Sequence, residues 1–322
     1  MKKLFSRKTI LLSLIAVFLV IYILQISLTG KNKVTVLKIN TLLDSIKITA
    51  QNGSSPDTLE LTRNGDKWFI GDYEADKLMS DKLTETLSSI KVLGTASTSS
   101  SDYERYGLNE EAVIKVEASA NGKTVRRLTI GKDNSNSTQS YVLIDGSSSV
   151  SVISAPLHST FTVDEEKLRS KNVYNIESSE ITRISLSNSK GKTILAKTTT
   201  QPEASADGTT AIPEVTWSVE NVSGTAPELD QSSIVFFASS ISTLDASLWF
   251  ADDAQAPQKE PDMTAEITCG EKTVTVSLFA SEGEGKDPVA TCSESPYVFN
   301  VKQYQYDKFD KSLEDFIKTS DE

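Results

Sequence analysis

Residues 58–91 read TLELTRNGDKWFIGDYEADKLMSDKLTETLSSIK, and this stretch decides the fold. Two short β-rich runs, Thr58–Thr62 and Lys67–Ile70, flank Asn64-Gly65, which is the strongest local signal for a two-residue hairpin. A helix is predicted over Asp76–Lys91, because Asp76 is a good N-cap and apolar residues then recur at helical spacing. The apolar stripe of this helix consists of Met79, Leu83, Leu87 and Ile90. The stretch therefore predicts an antiparallel hairpin covered by one helix.

The chain continues as strands joined by glycine turns. Asn121-Gly122 separates Val113–Ala118 from Val125–Ile130, and Asp145-Gly146 separates Tyr141–Ile144 from Val150–Ser154. Runs of strands with isolated helices are typical of antiparallel α+β folds and not of alternating βαβ folds.

The same order of elements recurs about 149 residues later. Trp217 matches Trp68, and a capped apolar run over Asp230–Leu244 matches the first helix. Four later strands match as well: Ala265–Cys269, Val276–Leu278, Val289–Cys292 and Tyr297–Val301. We therefore predict two similar domains, residues 34–160 and 172–322, each an antiparallel sheet with one or two covering helices.

Three segments of the second half fall outside the repeated pattern. Gln201–Pro213 is an insertion, and Ala251–Pro261 is a polar stretch expected to form a surface loop. A final helix is predicted over Gln303–Lys318, with Phe309, Leu313, Phe316 and Ile317 on the face that docks onto the second sheet.

The N-terminal region predicts a membrane anchor. Ile10–Leu28 is a run of nineteen uncharged residues, and at 1.5 Å per residue its helix would span about 28 Å, close to the hydrocarbon thickness of a bilayer. A cleaved signal peptide is the main alternative, but no small-residue cleavage site follows the run. A buried helix is the third possibility. We expect a basic tail at residues 1–9 and a single transmembrane segment at residues 10–28.

Charge gives the expected orientation. Residues 1–38 hold seven basic residues and no acidic one, which leaves 26 of the 33 basic residues and all 44 acidic ones to the remainder. The basic N-terminus favours a cytoplasmic tail and extracytoplasmic domains, as in a single-pass protein of the cell membrane. An acidic chain is also poorly suited to nucleic acid, so no nucleic-acid partner is expected.

The sequence holds little material for catalysis or for metal binding. Its single histidine is His158 and its two cysteines are Cys269 and Cys292, so no zinc, haem or serine-protease site can be assembled. The two cysteines are expected on strands separated by a third strand, too far apart for a disulfide, and therefore unpaired. No cofactor and no metal is predicted, although weak binding of divalent cations by the acidic loops stays open.

Short motifs in a fixed order carry a resemblance to a known family. They are the tryptophan strand, the capped helix, Tyr106-Gly107-Leu108, Ile130-Gly131, Tyr141-Val142 and Leu168-Arg169-Ser170-Lys171. With them the chain resembles, over most of residues 40–320, a family of membrane-anchored bacterial proteins defined as a domain of unknown function. Members are often encoded beside ABC transporters of the gliding-motility type. The resemblance implies an extracytoplasmic accessory protein and supplies no catalytic residues.

Three functions are compatible with these features. The first is a non-catalytic, anchored accessory or scaffold protein that contacts an ABC-type transporter or another envelope protein. The second is a binding module for a glycan, peptide or cation in a cleft between the domains. The third is an enzyme that uses paired carboxylates, as in glycoside hydrolysis. We favour the first, and we expect no enzyme activity.

Four residues are candidate contacts with a partner or ligand: Tyr106, Leu108, Trp249 and Phe250. Aromatic residues on loops are favoured anchors in interfaces. A structural role is the alternative for Tyr106 and Leu108, because Gly107 between them allows a turn with positive φ.

Overall fold

The computed structural model describes residues 7–28, 34–52, 55–109, 113–200, 214–220, 222, 225–283 and 285–318. The chain divides into two compact units, residues 1–170 (unit 1) and residues 171–322 (unit 2). Each unit consists of antiparallel strands with short helices, so the α+β class is confirmed. The predicted insertion Gln201–Pro213 and the first six residues of the basic tail lie outside the described residues.

The N-terminal apolar run forms helix α1, Arg7–Leu28. Its large apolar side chains are exposed from Leu11 to Leu24. Within the described part of the chain, no helix meets the length and apolarity needed to cross a membrane. The transmembrane anchor therefore stays a prediction.

Unit 1 contains one ten-stranded antiparallel sheet. Its strands are β1 (Thr35–Lys38), β2 (Ser45–Asn52), β3 (Ser55–Asn64), β4 (Lys67–Ile70), β5 (Tyr73–Glu74), β6 (Ser89–Ser97), β7 (Ile114–Ala120), β8 (Lys123–Asp133), β9 (Ser140–Ile144) and β10 (Val150–Ile153). They lie in the order β1-β6-β10-β9-β8-β7-β2-β3-β4-β5. The predicted hairpin turn at Asn121-Gly122 is confirmed, with φ of 53° and 68°, the positive values that a type I′ turn requires.

Besides α1, the described residues of unit 1 form three α-helices: α2 (Lys77–Ser88), α3 (Leu157–Phe161) and α4 (Glu165–Leu168). The Asp76 carboxylate caps α2 by accepting a hydrogen bond of 2.8 Å from the Met79 backbone N–H, as predicted. The predicted end of this helix at Lys91 was wrong, because α2 ends at Ser88 and β6 begins at the next residue. Ile90 is still buried in the core, but it reaches the core from a strand.

Unit 2 contains the strands β11 (Asn172–Asn175), β12 (Ile181–Asn188), β13 (Gly191–Thr200), β14 (Glu214–Val219), β15 (Thr243–Asp245), β16 (Leu248–Trp249), β17 (Met263–Cys269), β18 (Lys272–Phe279), β19 (Val289–Cys292) and β20 (Ser295–Asn300). Eight of them form a sheet in the order β14-β13-β12-β17-β18-β19-β20-β16, and β11 pairs with β15. Helix α5 (Gln231–Ser240) packs on the sheet, and α6 (Gln303–Phe309) follows the last strand.

The two sheets share one strand order. In unit 1 the sequence β4-β3-β2-β7-β8-β9-β10-β6 corresponds strand for strand to the eight-stranded sheet of unit 2. The pair β1-β6 corresponds to β11-β15, because β6 runs unbroken past both β1 and β10 while its counterpart is divided into β15 and β16. Trp68 on β4 and Trp217 on β14 are each 4% exposed, so both belong to a core. This correspondence defines equivalent positions in the two units.

The equivalent strands β4 and β14 differ in what satisfies the backbone groups on the side away from β3 and β13. In unit 1 the Trp68 carbonyl accepts a hydrogen bond of 2.7 Å from the Ala75 N–H, just after β5. In unit 2 the Gln231 side chain takes that place: its Nε2 donates to the Trp217 carbonyl at 3.0 Å and its Oε1 accepts from the Trp217 N–H at 2.7 Å. One side-chain amide therefore satisfies the backbone groups that a neighbouring strand would otherwise pair.

Two helix predictions in unit 2 were wrong at their ends. The helix predicted over Asp230–Leu244 ends at Ser240, and Leu244 lies on β15. The helix predicted over Gln303–Lys318 is divided into α6 and a short 3₁₀ turn, Leu313–Phe316. The division occurs because Ser312 and Asp315 form a capping box that starts a new turn.

Both cysteines are free, as predicted. Cys269 lies on β17 and Cys292 on β19, with β18 between them. Burial raises the pKa of the Cys292 thiol above its ordinary value, so this thiol should react slowly.

Candidate functional site

Tyr106, Gly107 and Leu108 form a corner on the outer face of the unit 1 sheet, the face opposite α2. A 3₁₀ turn, Glu104–Tyr106, ends at Gly107, whose φ of 69° confirms the predicted positive φ. The Tyr106 ring lies 4.6 Å from that of Tyr141. Leu108 is 6% exposed and belongs to a small cluster with Val113 and Val150. These contacts favour the structural role over a free contact surface.

A second motif explains why the corner can lie so close to the sheet. Gly131 follows Ile130 on β8, and a Cβ added to it would lie 2.2 Å from the Tyr106 carbonyl oxygen. No side chain fits there, so the Tyr106-Gly107-Leu108 and Ile130-Gly131 motifs form one piece of architecture. We call the residues 103–108 together with Gly131 and Tyr141 the tyrosine corner.

The Leu168–Lys171 motif has a similar structural explanation. Leu168 is fully buried, and the Arg169 guanidinium lies 3.7 Å from the centre of the Tyr73 ring, within range of a cation–π contact. The Ser170 N–H donates to the Glu74 carbonyl at 2.8 Å. This segment fixes the chain beside β5.

The equivalent face of unit 2 is an open pocket of about 890 Å³. Its floor consists of Phe279, Val289 and Val298, which lie on three neighbouring strands and point away from the core beneath α5. Its walls include Leu248 and Phe250. This volume is within the usual range for small-ligand sites, about 300–1,000 Å³.

Phe279 replaces Gly131 at the equivalent position. Ile130 pairs with Ile114 and Val142 in unit 1, as Leu278 pairs with Met263 and Ala290 in unit 2, and the next residue is Gly131 or Phe279. The loop that would form the corner, residues 250–262, contains one aromatic residue, Phe250, in place of Tyr103 and Tyr106. The pocket therefore lies on the face that the tyrosine corner covers in unit 1, and its floor residues Phe279 and Val298 are only 4% and 6% exposed.

Polar and charged groups line the mouth of the pocket. Asp287 Oδ2 accepts a hydrogen bond of 2.7 Å from Lys302 Nζ and one of 3.3 Å from Ser247 Oγ. On the other side, Lys259 Nζ lies 3.7 Å from Glu282 Oε1. Lys259 comes from the loop after β16 and Glu282 from the loop after β18, so this ion pair bridges the two loops.

A comparison with protein-family models identifies the family of the chain. The model described as Domain of unknown function (DUF4340) matches residues 70–261, more than half of the chain. The chain belongs to the DUF4340 family. The match confirms the coarser part of the resemblance seen in the sequence. Searches of curated proteins and of solved structures found no match.

The DUF4340 match includes the tyrosine corner and the loop that forms one wall of the pocket, and it ends before the pocket floor. Phe250 lines the pocket and Trp249 does not. The Trp249 ring packs against the core of unit 2, 5.4 Å from the Phe299 ring and 6.0 Å from the Tyr297 ring. The structure thus places Tyr106 and Leu108 in the corner of unit 1, Phe250 in a wall of the unit 2 pocket, and Trp249 against the unit 2 core.

Sequence reasoning missed the floor of the pocket. Its residues read as ordinary strand residues, and only their equivalence to Gly131 and Tyr141 distinguishes them. An alignment of the two halves of this DUF4340 chain at β8 and β18 could have shown the glycine-to-phenylalanine difference.

Among the described residues, no group of three or more His, Cys, Asp or Glu side chains could hold a metal ion. Asp133 has a structural role, because it accepts hydrogen bonds from the N–H groups of His158 and Ser159 at the start of α3. Burial by itself raises the pKa of Asp133, but hydrogen bonds from Ser140, Ser159 and His158 bring it below the ordinary value.

Proposed function

We propose that this protein is a non-catalytic accessory protein, anchored in the cell membrane by α1, with a cytoplasmic N-terminus and two extracytoplasmic units. In this proposal the units contact a membrane transporter of the ABC type. The exposed apolar surface of α1 carries the argument. Its large apolar side chains between Leu11 and Leu24 are 46–67% exposed on all sides of the helix, which suits contact with lipid.

The anchor is tested by placing charge at its centre. A Lys near the middle of a transmembrane helix disfavours insertion by about 2.5–3.5 kcal/mol on the translocon scale. We expect the Ile15→Lys, Leu19→Lys double variant to leave the membrane fraction on alkaline extraction. The conservative Ile15→Leu, Leu19→Ile double variant should stay. Equal resistance of both variants to extraction would refute the anchor.

Orientation and partner need separate measurements. Protease added to intact cells should degrade units 1 and 2 if they are extracytoplasmic, and full protection would contradict that orientation. Cross-linking followed by purification in mild detergent should recover the membrane subunit of an ABC transporter. Its absence after cross-linking would argue against the transporter association and would leave the anchor untouched.

A second candidate function is ligand binding by unit 2. The pocket of about 890 Å³ supports it, because the floor is apolar and the mouth carries amide and charged groups. Ala280→Trp, at a residue that lines the pocket, should abolish binding of a ligand there, whereas Glu271→Trp, at an exposed turn outside the pocket, should not. Equal binding by the two variants would refute this candidate function.

A further inference from the structure

We propose that the first strand of unit 1 is a releasable strap, and that the buried guanidinium of Arg126 beside it favours the release. The strap comprises residues 34–39, which are β1 and one residue on either side of it. It connects α1 to the rest of unit 1 and lies at one end of the ten-stranded sheet, where β6 is its only partner strand among the described residues. The release is a property of unit 1 itself, whereas its consequence for reach rests on the proposed membrane anchor.

Unit 2 contains a counterpart of the strap, held by the same backbone bond. The Ile39 N–H donates to the Ser88 carbonyl at 2.8 Å, and the Ile176 N–H donates to the Ser242 carbonyl at 2.9 Å. Ser88 and Ser242 each lie twelve residues after the aspartate that caps α2 or α5, so the two bonds are equivalent. The strap and β11 can therefore be compared position by position.

The strap buries much less apolar surface than β11 does. Val36 is 47% exposed, whereas Val173 at the equivalent position is 8% exposed. Leu37 is half-buried, whereas the equivalent Tyr174 is 5% exposed and its hydroxyl donates to the Ile241 carbonyl at 2.8 Å. Segments that bury few apolar groups open first in native proteins, so the strap should open before β11.

Arg126, on the core face of β8, favours the open state of the strap. It is 4% exposed, and its Nη2 donates to the Leu37 carbonyl at the long distance of 3.4 Å. Its Nε has no hydrogen-bond partner within the described part of the chain. The equivalent residue of unit 2 is the apolar Val274. A buried guanidinium with few good partners is costly, and release of the strap lets water hydrate it, whereas Val274 gains nothing from water.

Release of the strap lengthens the connection between α1 and the sheet. While the strap is paired, the chain is fixed at Thr35, and the seven residues from Leu28 at the end of α1 extend over at most about 25 Å. After release the first fixed position is Leu43, which is 1% exposed and precedes the bond from the Asp44 N–H to the Ser119 carbonyl. The fifteen residues from Leu28 to Leu43 extend over at most about 54 Å. Unit 1 then reaches about twice as far from the anchor.

Hydrogen exchange of the full-length protein, resolved to single amides by mass spectrometry, tests the release. After correction for intrinsic rates, the Ile39 amide should exchange about 100-fold or more faster than the Ile176 and Asp44 amides. Arg126→Met should slow the exchange of Ile39 about fivefold or more, while Arg127→Met, at the exposed neighbour, should leave it unchanged. Exchange of Ile39 within about threefold of Ile176, or equal exchange in the two arginine variants, would overturn the proposal.

Two variants fix the strap in its two states for a test of reach. Val36→Cys and Lys91→Cys lie directly opposite each other on β1 and β6, so a disulfide between them locks the strap in place. The double variant Leu37→Gly, Ile39→Gly removes two strap side chains that pack against the core, and so releases the strap.

Energy transfer measures the reach of these two variants in lipid nanodiscs. Both carry Cys269→Ser and Cys292→Ala, a donor dye on Lys47→Cys at the exposed face of β2, and acceptor dyes on the lipid headgroups. We expect less energy transfer in the released variant than in the locked one, and equal transfer would overturn the gain in reach. A chain that does not enter nanodiscs would count against the anchor, and exchange measured in detergent would still decide whether the strap is released.

Discussion

Gly131→Ala should destabilise unit 1 by placing a side-chain atom against the backbone of the tyrosine corner. The new Cβ would lie 2.2 Å from the Tyr106 carbonyl oxygen, whereas carbon and oxygen atoms in contact are normally about 3.3–3.6 Å apart. The corner must therefore move outward by about 1 Å or more. Tyr106 cannot make that movement and also keep its ring 4.6 Å from Tyr141.

The magnitude follows from two losses and one gain. Overpacking costs about 1–3 kcal/mol, and loss of the aromatic pair costs about 0.5–1.5 kcal/mol. Replacing a strand glycine by alanine returns about 0.5–1 kcal/mol through chain entropy. The expected net loss in the free energy of unfolding is about 0.5–4 kcal/mol.

Urea denaturation of the full chain in a Trp217→Phe, Trp249→Phe background measures this loss, because Trp68 in the unit 1 core is then the only indole. Gly71→Ala is the control. Gly71 has a φ of 56° and nothing within 4 Å of an added Cβ, so its substitution adds backbone strain without a clash and should cost about 1–2 kcal/mol. A Gly131→Ala protein within 0.5 kcal/mol of its parent would refute the reasoning.

Three further predictions concern Arg126, Asp133 and the two cysteines. Arg126 is 4% exposed and its Nε lacks a hydrogen-bond partner. Its nearest carboxylate oxygen, on the half-exposed Asp145, is 3.5 Å away. Arg126→Met should therefore keep or raise the melting temperature, and a marked fall would show that these weak contacts stabilise the fold. The lowered pKa of Asp133 means that its ionised form stabilises the fold above the ordinary aspartate pKa, and that this stabilisation is lost as pH falls through the lower folded value. Asp133→Asn should flatten the acid limb of a plot of urea midpoint against pH, and parallel limbs for Asp133→Asn and the natural chain would contradict the assignment. Maleimide labelling without reductant should add one group to each cysteine after denaturation, with Cys292 slow in the native state. A denatured chain that stays unlabelled would show a disulfide between the two cysteines.

The sequence predicted the parts of the fold that local chemistry determines. Asn121-Gly122 specifies a turn through its own backbone preferences, and Asp76 caps a helix through a bond to a residue three positions on. Both features need no knowledge of distant residues. The predicted end of α2 was wrong because Ile90 fits an apolar stripe at helical spacing and also fits a strand. Only its pairing with Leu37 on β1 decides between the two.

The candidate site was less predictable than the fold. Phe250 and Tyr106 stood out as aromatic residues near loops, but nothing near Phe279 marks it as the floor of a pocket. Its role depends on the strands beside it and on a loop that ends seventeen residues earlier, at Asp262. Such an assignment requires the three-dimensional equivalence of the two units.

The Gln231 side chain, which is bonded to both backbone groups of Trp217, protects the outer strand β14 from pairing with another molecule. An uncovered outer strand can template the addition of a strand from another molecule, which is how many folded proteins begin to aggregate. At Trp217 that protection rests on one side chain that imitates a peptide group at distances of 2.7 and 3.0 Å. In unit 1 the corresponding strand is protected by backbone, which no single substitution removes. We therefore expect self-association of the purified protein, if it arises by mutation, to begin in unit 2.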